Sequence, residues 1–328
     1  MMDAVGYRDG MRSVARIAVA VGMVVLAIWL VIAQPGCSTQ TPVSISVPTD
    51  RLEQHVQRLS GSFHPRSWRH AANLDRCADY VRGELVEAGA VVRDQVYEVR
   101  GMTFRNVIGR FGPEKGDLLV VGAHYDAYES TPGADDNASG IAVLLELARL
   151  LGTRPPARPV ELVAFTLEEP PFFRTEHMGS ARYAAELKAS NQPVAGVIIL
   201  EMVGYFTDAP FSQRYPSPLL WLMYPSRGNF LAVVGRFDQG RWISKVKRGM
   251  AGTTPLPIHS IRAPTALPGI DFSDHLNFWA QGYPAVMLTD TAFYRNTAYH
   301  TADDTVDRLD LRRMAEVTTA VAAFIHAP

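Results

Sequence analysis

The chain has 328 residues, 47% of them hydrophobic, and a formal net charge of −1. This length is enough for one large or two modest domains, and the near-zero charge argues against the basic surface of a nucleic-acid-binding protein. Only two cysteines, Cys37 and Cys77, are present, too few for a disulfide framework or a thiolate zinc site. Any metal site must therefore use His, Asp and Glu.

The N-terminal segment is predicted to be a membrane anchor. Residues 17–33 contain no charge and no proline, and Arg8, Arg12 and Arg16 precede them. A transmembrane helix needs about 17–25 mostly apolar residues, and a basic flank predicts that the N-terminus stays in the cytoplasm. We therefore expect residues 1–36 to form a basic segment and a single signal anchor in the cytoplasmic membrane. The rest of the chain would then lie outside the cytoplasm.

Two alternatives for this segment stay open. A cleaved signal peptide has the same order of basic and apolar residues, with a shorter apolar core. Cys37 follows in the sequence AQPGCSTQ, which suggests a lipoprotein, although Gln34 stands where a lipobox usually has leucine. Residues 37–50, rich in Pro, Ser and Thr, are predicted to be a linker. Residues 51–328 would form one catalytic domain.

The domain alternates predicted helices and strands. Apolar residues at helical spacing predict helices over 73–88, 137–151 and 178–189. Short apolar runs predict strands over 117–122, 160–166, 194–200 and 284–289. Nearly continuous apolar strands between helices are typical of a mostly parallel sheet that is covered on both faces. We therefore predict an α/β fold, a three-layer α/β/α sandwich.

Residues 120–140 are the most informative stretch for function. They place His124, Asp126 and the pair Asp135 and Asp136 directly after a predicted strand. Imidazole nitrogens and carboxylate oxygens together bind zinc and related metals. Burying these acids without a nearby cation would be costly. The stretch therefore predicts a metal site.

Further candidate ligands follow the other predicted strands. Glu168 and Glu169 follow the second strand, Glu201 follows the third, and His300 lies in the loop after the fourth. In open α/β sheets, ligands bind beyond the carboxyl ends of the strands. We therefore expect these side chains to meet at one edge of the sheet.

These residues belong to an ordered set of motifs. The set comprises HYD at 124–126, GADDNASG at 133–140, the glutamate pair at 168–169, EMVG at 201–204, SDH at 273–275 and YHTADDT at 299–305. From about residue 52 onward, the chain resembles the M28 family of zinc exopeptidases, which includes bacterial aminopeptidases. The resemblance implies the zinc exopeptidase fold, with a mixed, mostly parallel central sheet. It also implies peptide substrates and two zinc ions per chain.

The resemblance assigns metal ligands on both sides of a dinuclear site. His124 would bind one zinc ion and His300 the other, and Asp135 would bridge them. Glu169 would complete the first coordination set, on the side opposite Glu201. Glu201 departs from the commoner aspartate of the family and is one methylene longer, so the occupancy and spacing of the second metal site stay open.

The resemblance also assigns the supporting roles. Glu168 would be the general base that activates a metal-bridging water, and Tyr299 would stabilise the oxyanion. Asp126 would orient a ligand histidine. The resemblance further implies a cis peptide bond between Asp135 and Asp136. Outside this set, Asp136 or Asn137 is expected to cap the following helix, and Asp303 and Asp304 to cap the last helix. His275 is expected to be a structural or pocket-wall residue.

The expected activity is that of an aminopeptidase that removes N-terminal residues from peptides. One alternative is a glutaminyl-peptide cyclotransferase, a relative with the same fold that uses one zinc ion and departs from the GADDNASG pattern. A second is a receptor-like ectodomain without catalysis, which would have lost ligands. Carboxypeptidase activity also stays open. The sequence leaves the oligomeric state undetermined.

Overall fold

The computed structural model describes residues 3–35 and 40–327. Helix α1 spans Asp3–Ala33, and its residues 14–33 form a mostly apolar stretch that lies outside the packed interior except at Ala33. Twenty helical residues extend about 30 Å, the thickness of the hydrocarbon core of a bilayer. By length and composition, this helix is therefore able to cross a membrane. Cys37, and with it the lipoprotein alternative, lies outside the described residues.

The described part of the domain contains seven more α-helices and eight strands. The helices are α2 Thr49–Gln57, α3 Ala71–Glu87, α4 Gly140–Thr153, α5 Gly179–Ala189, α6 Gly240–Met250, α7 His275–Ala280 and α8 Leu311–His326. The strands are β1 Val91–Val99, β2 Met102–Phe111, β3 Leu118–His124, β4 Val160–Phe165, β5 Val194–Leu200, β6 Leu231–Arg236, β7 Ile258–Ala263 and β8 Ala285–Thr289.

All eight strands belong to one sheet in the order β1-β2-β4-β3-β5-β8-β6-β7. The pairs β3–β4, β3–β5, β5–β8 and β6–β7 are parallel. The pairs β1–β2, β2–β4 and β6–β8 are antiparallel. The prediction of a mixed, mostly parallel sheet is confirmed.

The sheet is covered on both faces, which explains the continuous apolar strands. Along β3, Leu119 and Val121 point into a core shared with α2, α3, α4, α6 and α8. Leu118 and Val120 point into a second core with α5 and α7. Because successive side chains of a strand alternate between faces, a central strand must be apolar at every position. The predicted three-layer α/β/α sandwich is confirmed.

The four predicted strands correspond to β3, β4, β5 and β8 in the middle of the sheet. The three predicted helices correspond to α3, α4 and α5, although α4 begins at Gly140 and a π-helical turn, Ala134–Ser139, precedes it. Strands β1, β2, β6 and β7 were not predicted. Strand β1 is half exposed and carries polar residues in VVRDQVYEV, so it lacks the apolar run of a central strand.

The predicted linker contacts the domain where the structure describes it. The Val43 amide donates a hydrogen bond to the Thr253 carbonyl over 3.0 Å. Ile45 and Val47 pack against the main core. Residues 40–48 therefore follow the surface of the domain and do not extend freely into solvent. The division of the chain at residues 36 and 50 stays a prediction.

Candidate metal centre

The sheet delivers the candidate ligands to one edge. His124 is the last residue of β3, Glu168 and Glu169 follow β4, and Glu201 follows β5. His300 lies in the connection between β8 and α8. Since β3, β4, β5 and β8 run parallel, their carboxyl ends meet at the same side of the sheet.

Two groups of three ligand atoms form at this edge and share one carboxylate, that of Asp136. In the first group, His124 Nε2 lies 3.4 Å from Asp136 Oδ1 and 3.3 Å from Glu201 Oε2. In the second group, His300 Nε2 lies 3.1 Å from Asp136 Oδ2 and 3.3 Å from Glu169 Oε2. The two oxygens of Asp136 therefore face different histidines, which is the geometry of a bridging ligand.

The assignment of the bridge to Asp135 is corrected by this geometry. The carboxylate of Asp135 points away from the two histidines and accepts hydrogen bonds from the Gly204 amide at 3.0 Å and from Asn296 Nδ2 at 2.9 Å. Burial, and then the neighbouring Asp290, raise the pKa of Asp135. Consecutive side chains diverge, so only one aspartate of the pair reaches both ligand groups. That residue is Asp136.

The cis peptide bond was expected between Asp135 and Asp136. In the structure it joins Asp136 to Asn137, one residue further along the chain. Asn137 itself links the loop to β5 and to the following helix. Its Nδ2 donates to the Leu200 carbonyl at 2.8 Å, and its Oδ1 accepts from the amides of Gly140 and Met202. The bond to Gly140 resembles the capping role that was expected of Asp136 or Asn137.

A buried arginine that the sequence reasoning missed shapes the loop before this bond. Arg66 is fully buried and donates hydrogen bonds to the carbonyls of Tyr125, Pro132 and Gly133 at 2.7–3.0 Å. Gly133 has φ +61°, and a Cβ atom there would lie 2.3 Å from the Asp136 carbonyl oxygen. The loop therefore needs glycine at this position, and Arg66 satisfies its carbonyls.

Two buried aspartates hold the ligand-bearing backbone in matching ways. Asp126 accepts hydrogen bonds from the amides of Glu168 at 3.2 Å and Glu169 at 3.1 Å. The main-chain carbonyl of Asp126 lies 3.2 Å from His124 Nδ1 and its Oδ1 lies 3.6 Å away, so Asp126 is placed to orient this imidazole. Asp304 likewise accepts from the amides of Asp135 at 3.0 Å and Asp136 at 3.1 Å.

The expectation that Asp304 caps the last helix is therefore wrong. Asp310 performs that role, because its Oδ1 accepts a hydrogen bond from the Arg313 amide at 2.9 Å. A sequence signal was available in the order DLRR at 310–313, which places an aspartate directly before the apolar pattern of α8.

Glu168 lies beside the two ligand groups without belonging to either. Its Oε2 is 3.9 Å from His124 Nε2, and the side chain is buried. Burial raises the pKa of Glu168; His124 opposes this effect, and Glu201 and Glu169 add to it. The carboxylate therefore lies close to the expected metal positions.

Two tyrosines enclose His300. The ring of Tyr128 stacks on the imidazole with a centroid distance of 4.1 Å and an interplanar angle of 2°. The ring of Tyr299 also stacks on it, at 3.8 Å and 18°. Tyr299 lines the cleft beside Glu201, so the structure brings it to the site. Tyr128 was not predicted, although an aromatic residue two positions after Asp126 was visible in the sequence.

The expected pairing of glutamates with histidines is reversed in the structure, because Glu201 lies in the group of His124 and Glu169 lies in that of His300. Glu201 reaches its group despite its additional methylene. Its Oε2 accepts a hydrogen bond from Ser273 Oγ at 2.7 Å, which fixes the carboxylate beside His124. Ser273 belongs to the SDH motif. His275 of the same motif is buried and bonded to the Ile270 carbonyl at 2.7 Å, and burial lowers its pKa to about 4. The motif therefore positions Glu201 through its serine, and His275 is structural as expected.

The electrostatics of the site favour a cation. Burial alone would lower the pKa of His300, but the neighbouring carboxylates of Asp136 and Glu169 raise it to about 10. Burial also opposes the shift at His124, yet Glu201 and Glu168 raise its pKa. Burial raises the pKa of Glu169 to about 8, and Asp136 adds to this effect. Carboxylates that draw protons onto two imidazoles produce the same attraction for a metal ion.

The unpartnered ligand atoms fit this interpretation. Among the described residues, the buried atoms His124 Nε2, His300 Nε2 and Glu169 Oε1 make no hydrogen bond. Buried polar atoms are normally paired, so each such exception needs a physical reason. A ligand set of imidazole and carboxylate, with free nitrogens directed at a shared carboxylate, fits zinc.

An apolar cleft adjoins the metal centre. It begins at Glu201, Met202 and Tyr299. Its walls are formed mainly by apolar side chains, among them Phe230, Ile261, Leu267, Ile270, Phe272 and Met287. A concave site with apolar walls and charged groups at one end is typical of a substrate pocket.

A mixed α/β sheet that presents two histidine–carboxylate groups sharing one aspartate defines a metal-dependent hydrolase type of site. The sequence profile of Peptidase family M28 matches residues 106–325. The match covers more than half of the chain. The chain therefore belongs to peptidase family M28 and is a peptide hydrolase of that family.

Curated relatives extend this assignment along most of the chain. Uncharacterized protein YfbL of Escherichia coli (strain K12) is 46% identical over 285 residues, which are 84% of this chain and 87% of the relative. Leucine aminopeptidase 1 of Aspergillus niger is 23% identical over 309 residues, which are 87% of this chain and 72% of the relative.

Solved structures share the fold. The LapA aminopeptidase of Legionella pneumophila has a TM-score of 0.66 at 21% identity and covers 85% of this chain and 71% of its own. A glutaminyl cyclase of Bacteroides thetaiotaomicron has a TM-score of 0.65 at 20% identity, with 86% and 100% covered. A Zn-dependent exopeptidase from Parabacteroides distasonis has a TM-score of 0.65 at 20% identity, with 87% and 100% covered. At these identities, the similarity concerns the zinc exopeptidase fold.

Proposed function

We propose that the chain is a zinc-dependent aminopeptidase that holds two zinc ions. The observation that carries this proposal is the position of Asp136, whose two carboxylate oxygens lie 3.4 Å and 3.1 Å from the Nε2 atoms of His124 and His300. Glu201 completes the first group, and Glu169 completes the second. Every position in the two groups holds a usable ligand, which argues against a receptor-like ectodomain that has lost its metals.

The metals would be held by these five side chains. Two zinc ions bound there would lower the pKa of a water molecule and polarise the carbonyl of the scissile bond. Asp126 would keep the imidazole of His124 in its binding orientation through its position beside Nδ1. Asp304 and Asp126 would hold the main chain of the carboxylate ligands through paired amide hydrogen bonds.

Glu168 is the proposed general base. It is the carboxylate next to the ligand groups that is not used by either, and its Oε2 lies 3.9 Å from His124 Nε2. In peptide hydrolysis, it would take a proton from the attacking water and deliver that proton to the nitrogen of the leaving peptide. A buried carboxylate with a raised pKa is suited to both transfers.

Tyr299 is proposed to stabilise the oxyanion. Its ring stacks on His300 and borders the cleft next to Glu201. Burial, and then the charges of Asp136 and Glu169, raise the pKa of Tyr299. Its hydroxyl therefore keeps its proton at neutral pH and is available as a donor.

The cleft beside the metal centre suggests the preferred substrate. Apolar walls favour the burial of an apolar side chain at the N-terminal position of the peptide. The curated relative from Aspergillus niger is named a leucine aminopeptidase, which agrees with this preference. We further propose that α1 stays in the membrane as a signal anchor and that the catalytic domain works outside the cytoplasm.

Metal analysis combined with a substrate panel tests the function. The purified chain should contain two zinc ions and hydrolyse leucyl and phenylalanyl peptides. N-acetylated versions of the same peptides serve as matched controls and should resist hydrolysis, because the proposed activity needs a free α-amine. A chelator should abolish turnover, and added zinc should restore it.

The same panel separates the alternatives. Cyclisation of an N-terminal glutamine with one zinc ion per chain would replace the aminopeptidase with a glutaminyl-peptide cyclotransferase. Hydrolysis of the acetylated peptides from the C-terminus would indicate a carboxypeptidase. A metal-free chain without turnover would support a receptor-like ectodomain.

A further inference from the structure

The end of the apolar helix α1 is fixed directly to the domain. Ser260 Oγ donates a hydrogen bond to the Ala33 carbonyl at 2.8 Å, and Lys247 Nζ donates to the carbonyls of Ala33 and Gln34 at 3.1 Å and 3.0 Å. Gln34 Nε2 donates to the Gly240 carbonyl at 2.9 Å. The last carbonyls of a helix lack partners within the helix, and a cation there is favourable. The domain therefore caps this helix.

This cap determines the depth of the adjoining surface relative to the membrane. The apolar stretch of α1 ends at Ala33, so Ala33 lies near the boundary of the hydrocarbon core if the helix spans a bilayer. The headgroup layer adds roughly 5–8 Å on each side of a core about 30 Å thick. Ser260, one hydrogen bond away from Ala33, would then lie within the headgroup layer.

An exposed apolar turn is one further hydrogen bond away. Tyr224 Oη donates to the Ser260 carbonyl at 2.6 Å and follows the 3-10 turn Pro218–Leu222. This turn exposes three apolar side chains: Leu219 is 65% exposed, Trp221 40% and Leu222 81%. Tryptophan and tyrosine are enriched at the membrane–water interface, where their rings contact the headgroups.

The same turn forms a wall of the substrate cleft. Leu220 is buried on the inner side of the turn and lines the cleft together with Tyr215 and Tyr224. Tyr215 contacts the ring of Trp221 with a centroid distance of 5.5 Å. The cleft wall and the exposed apolar side chains are therefore two sides of one segment.

We propose that Leu219, Trp221 and Leu222 insert into the headgroup layer of the bilayer that α1 spans. We assign lipid as the partner of these three side chains because the end of the apolar helix α1 is bonded to Ser260 on β7, and Ser260 is in turn bonded to Tyr224 beside the turn. The active-site cleft would then open at the membrane surface, where peptides close to the bilayer reach it. This proposal depends on the membrane anchor and is independent of the catalytic activity.

Site-directed spin labelling of the full-length chain in vesicles tests the proposal. A nitroxide would be attached to Leu222→Cys in a Cys37→Ser background; Cys77 is buried and stays unlabelled. The vesicles would contain phosphatidylcholine and phosphatidylglycerol. Val91→Cys is the matched control, because Val91 is an apolar side chain of 76% exposure on β1, the edge of the sheet opposite β7. Collision rates with oxygen and with a water-soluble nickel complex report the depth of each label.

The expected result is a several-fold higher ratio of oxygen to nickel collisions at residue 222 than at residue 91. Equal ratios at the two positions, with α1 intact by mass spectrometry, would overturn the proposal. Loss of α1 by cleavage would overturn it as well. Hydrolysis of a soluble leucyl peptide by the same samples reports on the proposed function separately, so the two failures are distinguishable.

Discussion

Two sites with buried carboxylates in this molecule, one around Glu146 and the other at the metal centre, have opposite electrostatic character. On α4, Glu146 is completely buried and has a cationic partner for each oxygen: Arg51 Nε lies 2.7 Å from Oε1, and Arg149 Nε lies 2.8 Å from Oε2. His55 Nε2 lies 3.6 Å from Oε1. Burial alone would raise the pKa of Glu146, but the neighbouring His55, Arg51 and Arg149 side chains lower it to about 2. The chain itself neutralises this carboxylate.

The metal centre brings together more carboxylates than its own cations can neutralise. Asp136, Glu168, Glu169 and Glu201 meet only two imidazoles among the described residues of the centre. The pKa values of Glu168, Glu169 and Glu201 are raised, with burial as the largest cause. A buried charge without a partner is costly, so a cluster that is incomplete in this way indicates an external cation. At a structural site such as Glu146, the protein supplies the positive charge. At a metal-binding site, the positive charge must come from a bound cation.

The largest effect is expected from replacing Asp136, with the same substitution at the neighbouring Asp135 for comparison. Asp136→Asn should lose zinc from both ligand groups, because its oxygens face both histidines, and turnover should fall roughly 10³-fold or more. Asp135→Asn is the matched control and should retain the metals with a loss of roughly 10–100-fold, since Asp135 only supports the loop. Zinc content by plasma emission spectroscopy and turnover of a leucyl peptide measure the two effects. If the Asp136→Asn variant kept all of its zinc, Asp136 would not be the bridging ligand.

A smaller loss is expected for the proposed base. Glu168→Gln should keep both zinc ions and lose roughly 10²–10⁴-fold in kcat, because the amide cannot accept the proton of the attacking water. Glu169→Gln provides the contrast, since it should lose zinc together with activity. The measurement is zinc content and kcat for both variants. Substantial residual turnover in Glu168→Gln would remove it from the base role.

The middle of the sheet was predictable from the sequence, whereas its edges were not. The apolar runs of β3, β4, β5 and β8 reflect burial on both faces, a constraint that acts on every residue. Strand β1 is half exposed, so its residues obey no such constraint. An apolar run marks a strand that is buried on both faces, and the strands that the candidate ligands follow are of this kind.

The candidate ligands were predictable as a set because they follow those central strands. The choice between Asp135 and Asp136 was not, since it depends on how the loop turns around Gly133 and on the bonds of Asp304 to both amides. The roles of Arg66, Tyr128 and Ser273 depend on contacts across 59–172 residues of sequence, which no local pattern encodes.

The smallest effect is expected for Glu146, whose charge is neutralised by side chains of the protein itself. The folded-state pKa of Glu146, about 2, lies below its ordinary value of 4.5, so its ionised form stabilises the fold. This stabilisation is fully present above pH 4.5 and is lost as the pH falls through 2. Glu146→Gln should therefore lower the free energy of unfolding by about 2–3 kcal/mol at pH 7 and by progressively less between pH 4.5 and pH 2. Urea unfolding across this pH range measures the difference.

Glu114→Gln, at an exposed position, is the control for Glu146→Gln and should stay within about 0.5 kcal/mol of the parent chain. Zinc content and turnover at neutral pH should be unchanged in Glu146→Gln, because the carboxylate belongs to neither ligand group. A pH-independent loss of stability would show that Glu146 acts through packing and not through its charge. In that case, Arg51, Arg149 and His55 would not be neutralising a buried anion. The two sites would then differ in the arrangement of their side chains but not in how their charge is compensated.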